Sequence, residues 1–370
     1  MSPVPTNQDF QWMALALRLA QQGLYSTSPN PRVGCVIVKN NQVIGQGAHL
    51  KAGEPHAEVH ALREAGMDSV GADVYVTLEP CSHHGRTPPC VEAVVAAKPR
   101  RVIIAMQDPN PLVAGRGVSA LQSAGIEVLL GMMEQEAKLL NVGFISRMTR
   151  GLPYVRCKVA ARLDGRTALG NGSSQWITGD AARQDVQHWR AQSCAIVTGI
   201  GTVLADNPSM NVRLPNLVRQ PLRVIVDSRL QTPIDSKMLA ADSLQQSPVL
   251  IAYAHDAKLC APALSETGAE LVHLPDANAK VNLTALMVLL AQRGINEVLL
   301  EAGQGLNGAF LQANLIDECI FYYAPKLMGD AAKAMFAMPE LSDMQQVTTL
   351  QILDIRQLGQ DLRLRLSVQH

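Results

Sequence analysis

Two short segments of the sequence contain residue types that together can hold a metal ion and move a proton. The segment GEPHAEVHA contains His56 and Glu58, and the segment TLEPCSHHGRTPPC contains Cys81 and Cys90. Three protein ligands on Zn²⁺, one imidazole and two thiolates, would leave a fourth position for water, as in catalytic zinc sites. Zinc lowers the pKa of that water toward neutrality, and Glu58 can shuttle its proton to a departing amine.

The remaining cysteines and several histidines have simpler interpretations. His60, His83 and His84 compete for the metal, but we expect packing, surface or loop positions for them. A disulfide between the two cysteines of the second segment is not predicted, because we expect a reducing cytosol for this chain. The other cysteines lie on or near apolar stretches and are expected to be small buried hydrophobic residues: Cys35, Cys157, Cys194, Cys260 and Cys319.

The elements that must position these residues alternate between strands and helices. The runs VGCVIVK and QVIGQGAH are predicted strands joined by a hairpin at Asn40-Asn41, and DVYVTL, RVIIAM and IEVLLG are further strands. HAEVHALREAG, PPCVEAVVAA and VSALQSAG are predicted helices. His56 opens the first of them, and Cys81 follows a strand at the entry to the second, where free N–H groups favour thiolates. This alternation predicts a three-layer α/β domain.

The pattern restarts after Gly151 and Pro153. We therefore predict two domains, at residues 1–147 and 152–370. The second half contains apolar strand patterns such as YVRCKVA, AIVTG, RVIVD and NEVLLEA, and helical patterns such as DAARQDVQHWRAQ, so it is again α/β. The polar stretch LAADSLQQSP, at residues 239–248, is predicted to be a surface loop.

A glycine motif in the second half has two interpretations. Gly303, Gly305 and Gly308 have the spacing of the dinucleotide fingerprint, after a predicted strand and before a predicted helix. The motif comes late in its domain, and no acidic residue ends a following strand, which disfavours a Rossmann unit. We interpret it as a loop for cofactor phosphate on another fold, since the N–H groups at a helix start bind phosphate. A packing turn is the alternative.

The composition excludes some classes of function. Hydrophobic residues make up 47% of the 370 residues, and 32 basic residues balance 32 acidic ones, which gives a net charge of zero. This balance argues against a broad nucleic-acid footprint. Asp9 and Arg18 interrupt the first apolar stretch, so we expect no signal peptide. No apolar run approaches the ~20 residues that span a bilayer, and we expect a cytoplasmic protein.

The first half resembles the deaminase half of the bifunctional riboflavin-biosynthesis deaminase–reductase family. NPRVGCVIV, HAEVHAL and TLEPCSHHGRTPPC occur in the order of that family. They also match the zinc-deaminase signature, except that eight residues rather than two separate the cysteines. The resemblance implies a cytidine-deaminase-like fold and a diaminohydroxypyrimidine substrate that carries phosphoribosylamine. It implies substrate-binding roles for Asn30, His49 and Arg86.

The second half resembles the reductase half of the same family, through KVAARLDGRTAL, SSQWITG, DVQHWRAQ, GIGTVLADNPSMNVR, RVIVDS and EAGQGLNGAFL. That resemblance implies a dihydrofolate-reductase-like fold that uses NADPH to reduce a ribosyl group to ribityl, with hydride delivered to the anomeric carbon of the sugar. Arg162 and Met210-Asn211 differ from the family pattern. The implied residues near the reacting sugar are Lys158, Asp206 and Glu301; near the cofactor they are Ala160, Trp176, Thr202, Asp206, Ser228, Gly303, Gly305, Leu306, Asn307 and Gly308; near the substrate they are Ser174, Arg190, Met210, Arg213 and Glu301.

The sequence therefore predicts a bifunctional enzyme that deaminates a small phosphorylated pyrimidine with Zn²⁺ and then reduces it with NADPH. No nucleic-acid or membrane partner is expected, and a homo-oligomer is compatible with the sequence. One alternative is a nucleic-acid-editing zinc deaminase with an appended binding domain, which predicts a basic face beside the zinc. Another is structural zinc with a nucleotide-sensing second half, which Glu58 beside an open three-ligand site disfavours.

Overall fold

The chain divides into two compact units, Met1–Gly151 and Leu152–His370. The computed structural model describes residues 5–82, 89–111, 113–174, 176–255 and 261–369. Within those ranges, no helix combines the length and the apolar character needed to cross a membrane.

The N-terminal unit contains one five-stranded sheet in the order β2-β1-β3-β4-β5. β1 pairs antiparallel with β2 and β3, whereas β3, β4 and β5 run parallel. The hairpin predicted at Asn40-Asn41 is confirmed, with φ angles of 50° and 59° that suit a tight two-residue turn. The strands are β1 Gly34–Lys39, β2 Gln42–Ala48, β3 Asp73–Leu78, β4 Arg101–Met106 and β5 Glu127–Leu130; the helices are α1 Asn7–Ala20, α2 Ala57–Ala65, α3 Cys90–Ala96, α4 Arg116–Ser123, α5 Glu134–Leu140 and α6 Val142–Arg150, with 3₁₀ turns at Gln21–Gly23 and Gly66–Ser69.

Helices cover both faces of this sheet. α1 packs on β1 and β3 and α5 packs on β4 and α1, while α2, α3 and α4 form the opposite layer. Consequently β3 is buried along its whole length, and β1 and β4 are buried at every residue except one end residue each. Strands buried on both faces read as continuous apolar runs, which is why VGCVIVK and RVIIAM were recognisable. The predicted three-layer α/β arrangement is confirmed.

The C-terminal unit contains a nine-stranded sheet in the order β11-β10-β9-β8-β12-β6-β13-β16-β15. Neighbours from β11 to β13 are parallel, and β16 and β15 continue the sheet as an antiparallel hairpin. Its strands are β6 Tyr154–Arg162, β7 Arg166–Ala168, β8 Ala195–Gly199, β9 Leu222–Val226, β10 Val249–Tyr253, β11 Glu270–His273, β12 Glu297–Leu300, β13 Glu318–Ala324, β14 Lys333–Ala334, β15 Leu350–Leu358 and β16 Asp361–Val368; its helices are α7 Asp180–Gln192, α8 Ile200–Asp206, α9 Ala241–Gln246, α10 Ala261–Glu266, α11 Leu283–Gln292 and α12 Gln304–Gln312, with a 3₁₀ turn at Met344–Gln346.

Two apolar clusters lie on opposite faces of the larger sheet. On β8, Ala195 and Val197 pack in the cluster that contains residues of α11 and α12, whereas Ile196 packs in the cluster that contains residues of α8 and α10. Successive strand residues point to opposite faces, so this alternation means that helices cover both sides. The α/β class predicted for both halves is therefore confirmed.

The surface loop predicted at residues 239–248 is wrong, because six of these residues form α9. The segment is polar, but hydrogen bonds from a distant residue stabilise it as a helix. The fully buried Arg223 donates to the hydroxyl and the carbonyl of Ser243 at 2.6 and 2.9 Å, and to the carbonyl of Ser247. Leu244 adds an apolar contact with the core. Burial lowers the pKa of Arg223 to about 10. A guanidinium that donates hydrogen bonds to the last carbonyls of a helix stabilises the C-terminal end of that helix.

Candidate functional sites

His56, Cys81 and Cys90 come together in the N-terminal unit. One ligand atom of each lies within 4.8 Å of the others. Nδ1 of His56 is 3.1 Å from Sγ of Cys90 and 3.6 Å from Sγ of Cys81. One imidazole nitrogen and two soft sulfurs are a donor set that zinc accepts, and three protein ligands leave one position open. The residues present therefore fit a zinc ion.

The starts of two helices position these ligands. His56 is the residue that precedes α2 in extended conformation, and Cys90 is the first residue of α3. Cys81 lies in the segment after β3, and the next helix begins only at Cys90. The two cysteines are joined through backbone groups, because the N–H of Cys90 donates to Sγ of Cys81 at 3.2 Å and the N–H of Val91 donates to the carbonyl of Cys81 at 3.2 Å. Such N–H groups stabilise a thiolate.

The charges at the site favour metal binding by Cys81. Hydrogen bonds from Cys90 and His56 lower the pKa of the Cys81 thiol to about 4, although burial opposes this change. The same contact raises the pKa of Cys90. The pair therefore holds one thiolate before a cation is present, and the positive charge of zinc would favour ionisation of the second.

Glu58 is the second residue of α2, within its first turn, and is 3% exposed. Its Oε2 atom is buried and has no hydrogen-bond partner among the residues that the structure describes. Burial raises the pKa of Glu58 to about 7, and the Cys81 thiolate adds to this effect. A buried carboxylate with a free oxygen beside an open metal position is suited to exchange protons with a water or an amine there.

Asn30 and His49 form a pair beside the metal ligands. Nδ2 of Asn30 lies 3.1 Å from Nε2 of His49, and Nδ1 of His49 lies 3.2 Å from the carbonyl of Pro55. Because an amide NH₂ only donates, Nε2 accepts and the ring proton is on Nδ1. The His49 ring stacks edge-on against His56 with centroids 5.0 Å apart, and burial lowers the pKa of His49. His49 is thus a neutral ring at neutral pH.

The competing residues are placed as follows. Cys35, Cys157, Cys194 and Cys319 are buried, as predicted. His60 is partly buried on α2, and its atoms are not part of the three-residue cluster. Arg86, His83, His84 and Cys260 lie outside the described residues.

In the C-terminal unit, several predicted site residues lie at the carboxyl ends of neighbouring parallel strands. Glu301 directly follows β12, Thr202 is in α8 directly after β8, and Ser228 follows β9. Because β9, β8, β12 and β6 are consecutive in the sheet, these residues share one edge. Lys158 on β6 approaches the same edge through its contact with Glu301. Ligands of open α/β sheets bind outside this edge.

Glu301 is the centre of a buried charge cluster. Arg190 of α7 binds it with two nitrogens, at 2.6 and 3.0 Å, and Nζ of Lys158 lies 3.6 Å from it. Although burial alone would raise it, Arg190 and Lys158 lower the pKa of Glu301 to about 2. Arg190 also contacts the sulfur Sδ of Met210 at 3.7 Å and donates to the carbonyl of Asn211 at 3.0 Å. The guanidinium of Arg190 is thus held in position by Glu301, Met210 and Asn211.

Asp206 and Ser174 come together at the C-terminal end of α8. The hydroxyl of Ser174 lies 3.4 Å from Oδ1 of Asp206, which ends α8. Asn207 follows with φ 39°, in the left-handed region, and directs the chain away from the helix. Arg213 is exposed, and its backbone N–H donates to the side chain of Gln187 on α7.

The residues predicted to face the cofactor divide into exposed and buried groups. Trp176 is 68% exposed, with the guanidinium of Arg183 over its ring at 4.8 Å. The hydroxyl of Ser228 accepts from the N–H of Val281 at 3.2 Å. Ala160 packs on the apolar cluster of α7, and Thr202 is partly buried.

The glycine motif has two different roles in the structure. Gly303 precedes α12, and an added Cβ at Gly303 or Gly305 would meet no atom within 4 Å, so both leave open space at the helix start. Gly308 instead allows close packing, because a Cβ there would lie 2.1 Å from the carbonyl oxygen of Ala337. Asn307 is buried and donates to the carbonyls of Ala302 and Met335, and Leu306 packs on the core.

Sequence reasoning missed the role of Glu79, which lies two residues before Cys81. Glu79 is 3% exposed and accepts four backbone N–H groups from the region 108–118. The only signal was a carboxylate two residues before a ligand, in a segment otherwise read for its cysteines and histidines.

Comparisons with known proteins cover both halves of the chain. The family model described as cytidine and deoxycytidylate deaminase zinc-binding region matches residues 6–106. The family model described as RibD C-terminal domain matches residues 153–364. The riboflavin biosynthesis protein RibD of Escherichia coli is 47% identical over 371 residues, which cover 97% of this chain and 99% of that protein. The chain belongs to the RibD family.

Solved structures of RibD proteins support the same assignment. Acinetobacter baumannii RibD is 49% identical, with a TM-score of 0.89 and coverage of 98% of this chain and 99% of that one. A Thermotoga maritima protein is 32% identical, with a TM-score of 0.86 and the same coverage. It is named as a diaminohydroxyphosphoribosylaminopyrimidine deaminase/5-amino-6-(5-phosphoribosylamino)uracil reductase. RibD proteins are riboflavin-biosynthesis enzymes in which a zinc deaminase domain is joined to a reductase domain.

Replacing Cys90 by Ser removes one soft ligand, and we expect bound zinc to fall from stoichiometric to a small fraction, as measured by metal analysis of the purified protein. Cys157→Ser is the control, because it makes the same chemical change at a buried thiol of the other unit and should leave zinc unchanged. Full zinc occupancy in Cys90→Ser would remove this cysteine from the site.

Proposed function

We propose that this chain deaminates the diaminohydroxypyrimidine that carries phosphoribosylamine and then reduces the ribosyl group of the product to ribityl with NADPH. The observation that carries the proposal is the pairing of an open His56–Cys81–Cys90 site and its buried Glu58 with a separate charged strand edge around Glu301. We assign the first step to residues 1–147 and the second to residues 152–370, in a cytoplasmic enzyme.

In the deamination, a zinc ion held by His56, Cys81 and Cys90 would lower the pKa of a bound water, so that hydroxide would be available at neutral pH. Glu58 would take the proton of the attacking water and pass it to the departing amine, so that the ring exchanges its amine for oxygen and ammonia leaves. A group serves best when its pKa is near the working pH, and burial moves the pKa of Glu58 to about 7.

Substrate binding in the first step is assigned to three residues. Asn30 contacts His49, whose ring packs against the ligand His56, and its amide oxygen can accept a hydrogen bond from the pyrimidine. His49 is held as a neutral ring by Pro55 and orients both Asn30 and the ring of His56. Arg86, in the long spacer between the two cysteines, is assigned to the phosphate because a guanidinium binds it with two N–H groups.

In the reduction, NADPH supplies the hydride for the anomeric carbon of the sugar. As the sugar ring opens, its oxygen would take up a proton and the nitrogen on the anomeric carbon would form an iminium, which carries the positive charge until hydride reaches that carbon. Water must be kept out, because it would hydrolyse the iminium. Glu301 stays ionised because Arg190 and Lys158 lower its pKa to about 2, and it can balance that positive charge. We assign Lys158, which contacts Glu301, to donate a proton toward the ring oxygen, and Asp206 to supply a second carboxylate near the sugar.

Cofactor binding is assigned to the strand edge and the start of α12. Gly303 and Gly305 leave open space where the first N–H groups of α12 point outward, a position suited to phosphate. Trp176, Thr202, Ser228 and Ala160 would flank the nicotinamide and ribose groups, while Leu306, Asn307 and Gly308 hold the loop. Ser174, Met210 and Arg213 are assigned to the substrate, with Arg190.

The alternatives have less support. A nucleic-acid-editing deaminase is not favoured, because the second half matches a reductase family over residues 153–364. A purely structural zinc site would have a fourth protein ligand, and the described part of the chain offers three.

Glu58→Gln keeps the shape of the side chain but cannot shuttle protons, so we expect zinc to stay bound and ammonia release to slow by ~10²–10⁴. The same variant should reduce the already deaminated pyrimidine at the normal rate. Glu64→Gln, an exposed change on the same helix, should deaminate normally. A folded Glu58→Gln that deaminates at nearly the wild-type rate would contradict the mechanism, whereas lost reduction would mean that the two sites depend on each other.

Asp206→Asn should have the opposite profile. It removes a charge near the sugar while keeping the shape, and lost electrostatic stabilisation of this kind costs ~10²–10³ in turnover. We expect zinc content and deamination to be unchanged and NADPH oxidation with the deaminated substrate to slow by that amount. Asp242→Asn, an exposed change on α9, is the control. If NADPH oxidation is unaffected, Asp206 serves only to end α8 and the reduction depends on Lys158 and Glu301.

A further inference from the structure

A carboxylate next to the zinc segment binds four backbone N–H groups. Oε1 of Glu79 accepts from the N–H groups of Gly117 and Val118 at 2.8 and 3.1 Å. Oε2 accepts from those of Asp108 and Gly115 at 3.1 and 3.0 Å. The side chain of Glu79 is buried, and the N–H groups that it accepts from belong to the first turn of α4 and to the loop before α4. The free N–H groups at a helix start carry partial positive charge, so a buried carboxylate is stable there.

This contact joins the segment that leads from β3 to Cys81 with the start of α4. Glu79 follows β3 and precedes Pro80 and Cys81, and its own N–H donates to the carbonyl of Met106 on β4 at 2.9 Å. The start of α4 touches the same segment, because a Cβ on Gly117 would lie 2.3 Å from the carbonyl oxygen of Pro80. The segment that carries Cys81 is therefore fixed on one side by the loop and helix that Glu79 binds.

We propose that Glu79 is a positioning residue that sets the place of Cys81 by holding the start of α4 against Pro80. Cys81 is outside any strand or helix, so its position depends on such anchors together with the N–H groups of Cys90 and Val91 that bind it. The inference rests on the proposed zinc site. It adds that affinity for zinc depends on a carboxylate that does not touch the metal. Removing groups that orient metal ligands typically costs 10–100-fold in metal affinity or activity.

The test is chelator competition for zinc in the full-length Glu79→Gln protein. The amide replaces one oxygen by NH₂, which would face backbone donors instead of accepting from them. We expect zinc to bind about 10-fold or more weakly. Added zinc should restore deamination toward the wild-type turnover with little change in KM, and reduction of the deaminated pyrimidine should not change. Rescue by zinc separates misplaced ligands from a simple loss of fold.

Asp9→Asn is the matched control. Asp9 is also a buried carboxylate of the N-terminal unit, bound by Tyr75 and Arg101 at 2.6 Å each, but it lies on α1, in the opposite helix layer. It should lower the melting temperature and leave zinc affinity unchanged. Equal zinc loss in both variants would show that stability alone controls the metal and would overturn the inference.

Gly117→Ala tests the same contact without changing Glu79. Its methyl group must displace Pro80, so we expect weaker zinc binding here too, even if Glu79→Gln fails to fold. Wild-type zinc affinity in a folded Glu79→Gln or Gly117→Ala protein would overturn the positioning role alone. A wild-type protein that binds no zinc would instead overturn the proposed function.

Discussion

The N-terminal unit is organised by one constraint: an imidazole and two thiolates from separate segments must lie within 4.8 Å of one another. Sulfur and nitrogen ligands of this kind tolerate little error in position, since metal–ligand distances are fixed within tenths of an ångström. The starts of α2 and α3 supply His56 and Cys90, and the segment after β3 supplies Cys81. Because β3 and β4 are parallel neighbours, the loop after β4 lies at the same end of the sheet as the segment after β3, where it binds Glu79.

In the C-terminal unit, the charge of a buried carboxylate is balanced by basic side chains, where the N-terminal unit would balance its thiolates with a metal ion. Glu301 is ionised in a low-dielectric setting only because Arg190 and Lys158 compensate it. Arg156, Glu297 and Glu318 form a second buried network of ion pairs, and the guanidinium of Arg156 lies 5.5 Å from the centre of the Trp189 ring of α7. Buried charges that protein partners already hold in place can stabilise charge that develops during a reaction, because they need not rearrange.

The sequence was most informative where one local pattern carried the signal. Strands buried on both faces appeared as unbroken apolar runs, and Asn40-Asn41 marked the hairpin correctly. The strands β15 and β16 were not predicted, because charged residues interrupt them and β15 is largely exposed at the sheet edge. α9 was missed because Arg223, distant in sequence, stabilises a polar segment.

The site residues show the same limit. The spacing of His56, Glu58, Cys81 and Cys90 made the metal hypothesis readable, since these residues carry the chemistry themselves. Glu79 could not be found in this way, because it acts through backbone groups of a region about thirty residues later in the chain, which only the fold brings to it.

The central claim is that one chain carries out two ordered steps on one small molecule. Mass analysis of the products tests it most directly, after incubation of the purified protein with the phosphoribosylaminopyrimidine, with and without NADPH. The account predicts that without NADPH an amine is exchanged for oxygen, and that with NADPH the same product also gains two hydrogens. Reduction of the substrate before its deamination, or deamination with no reduction when NADPH is present, would contradict it.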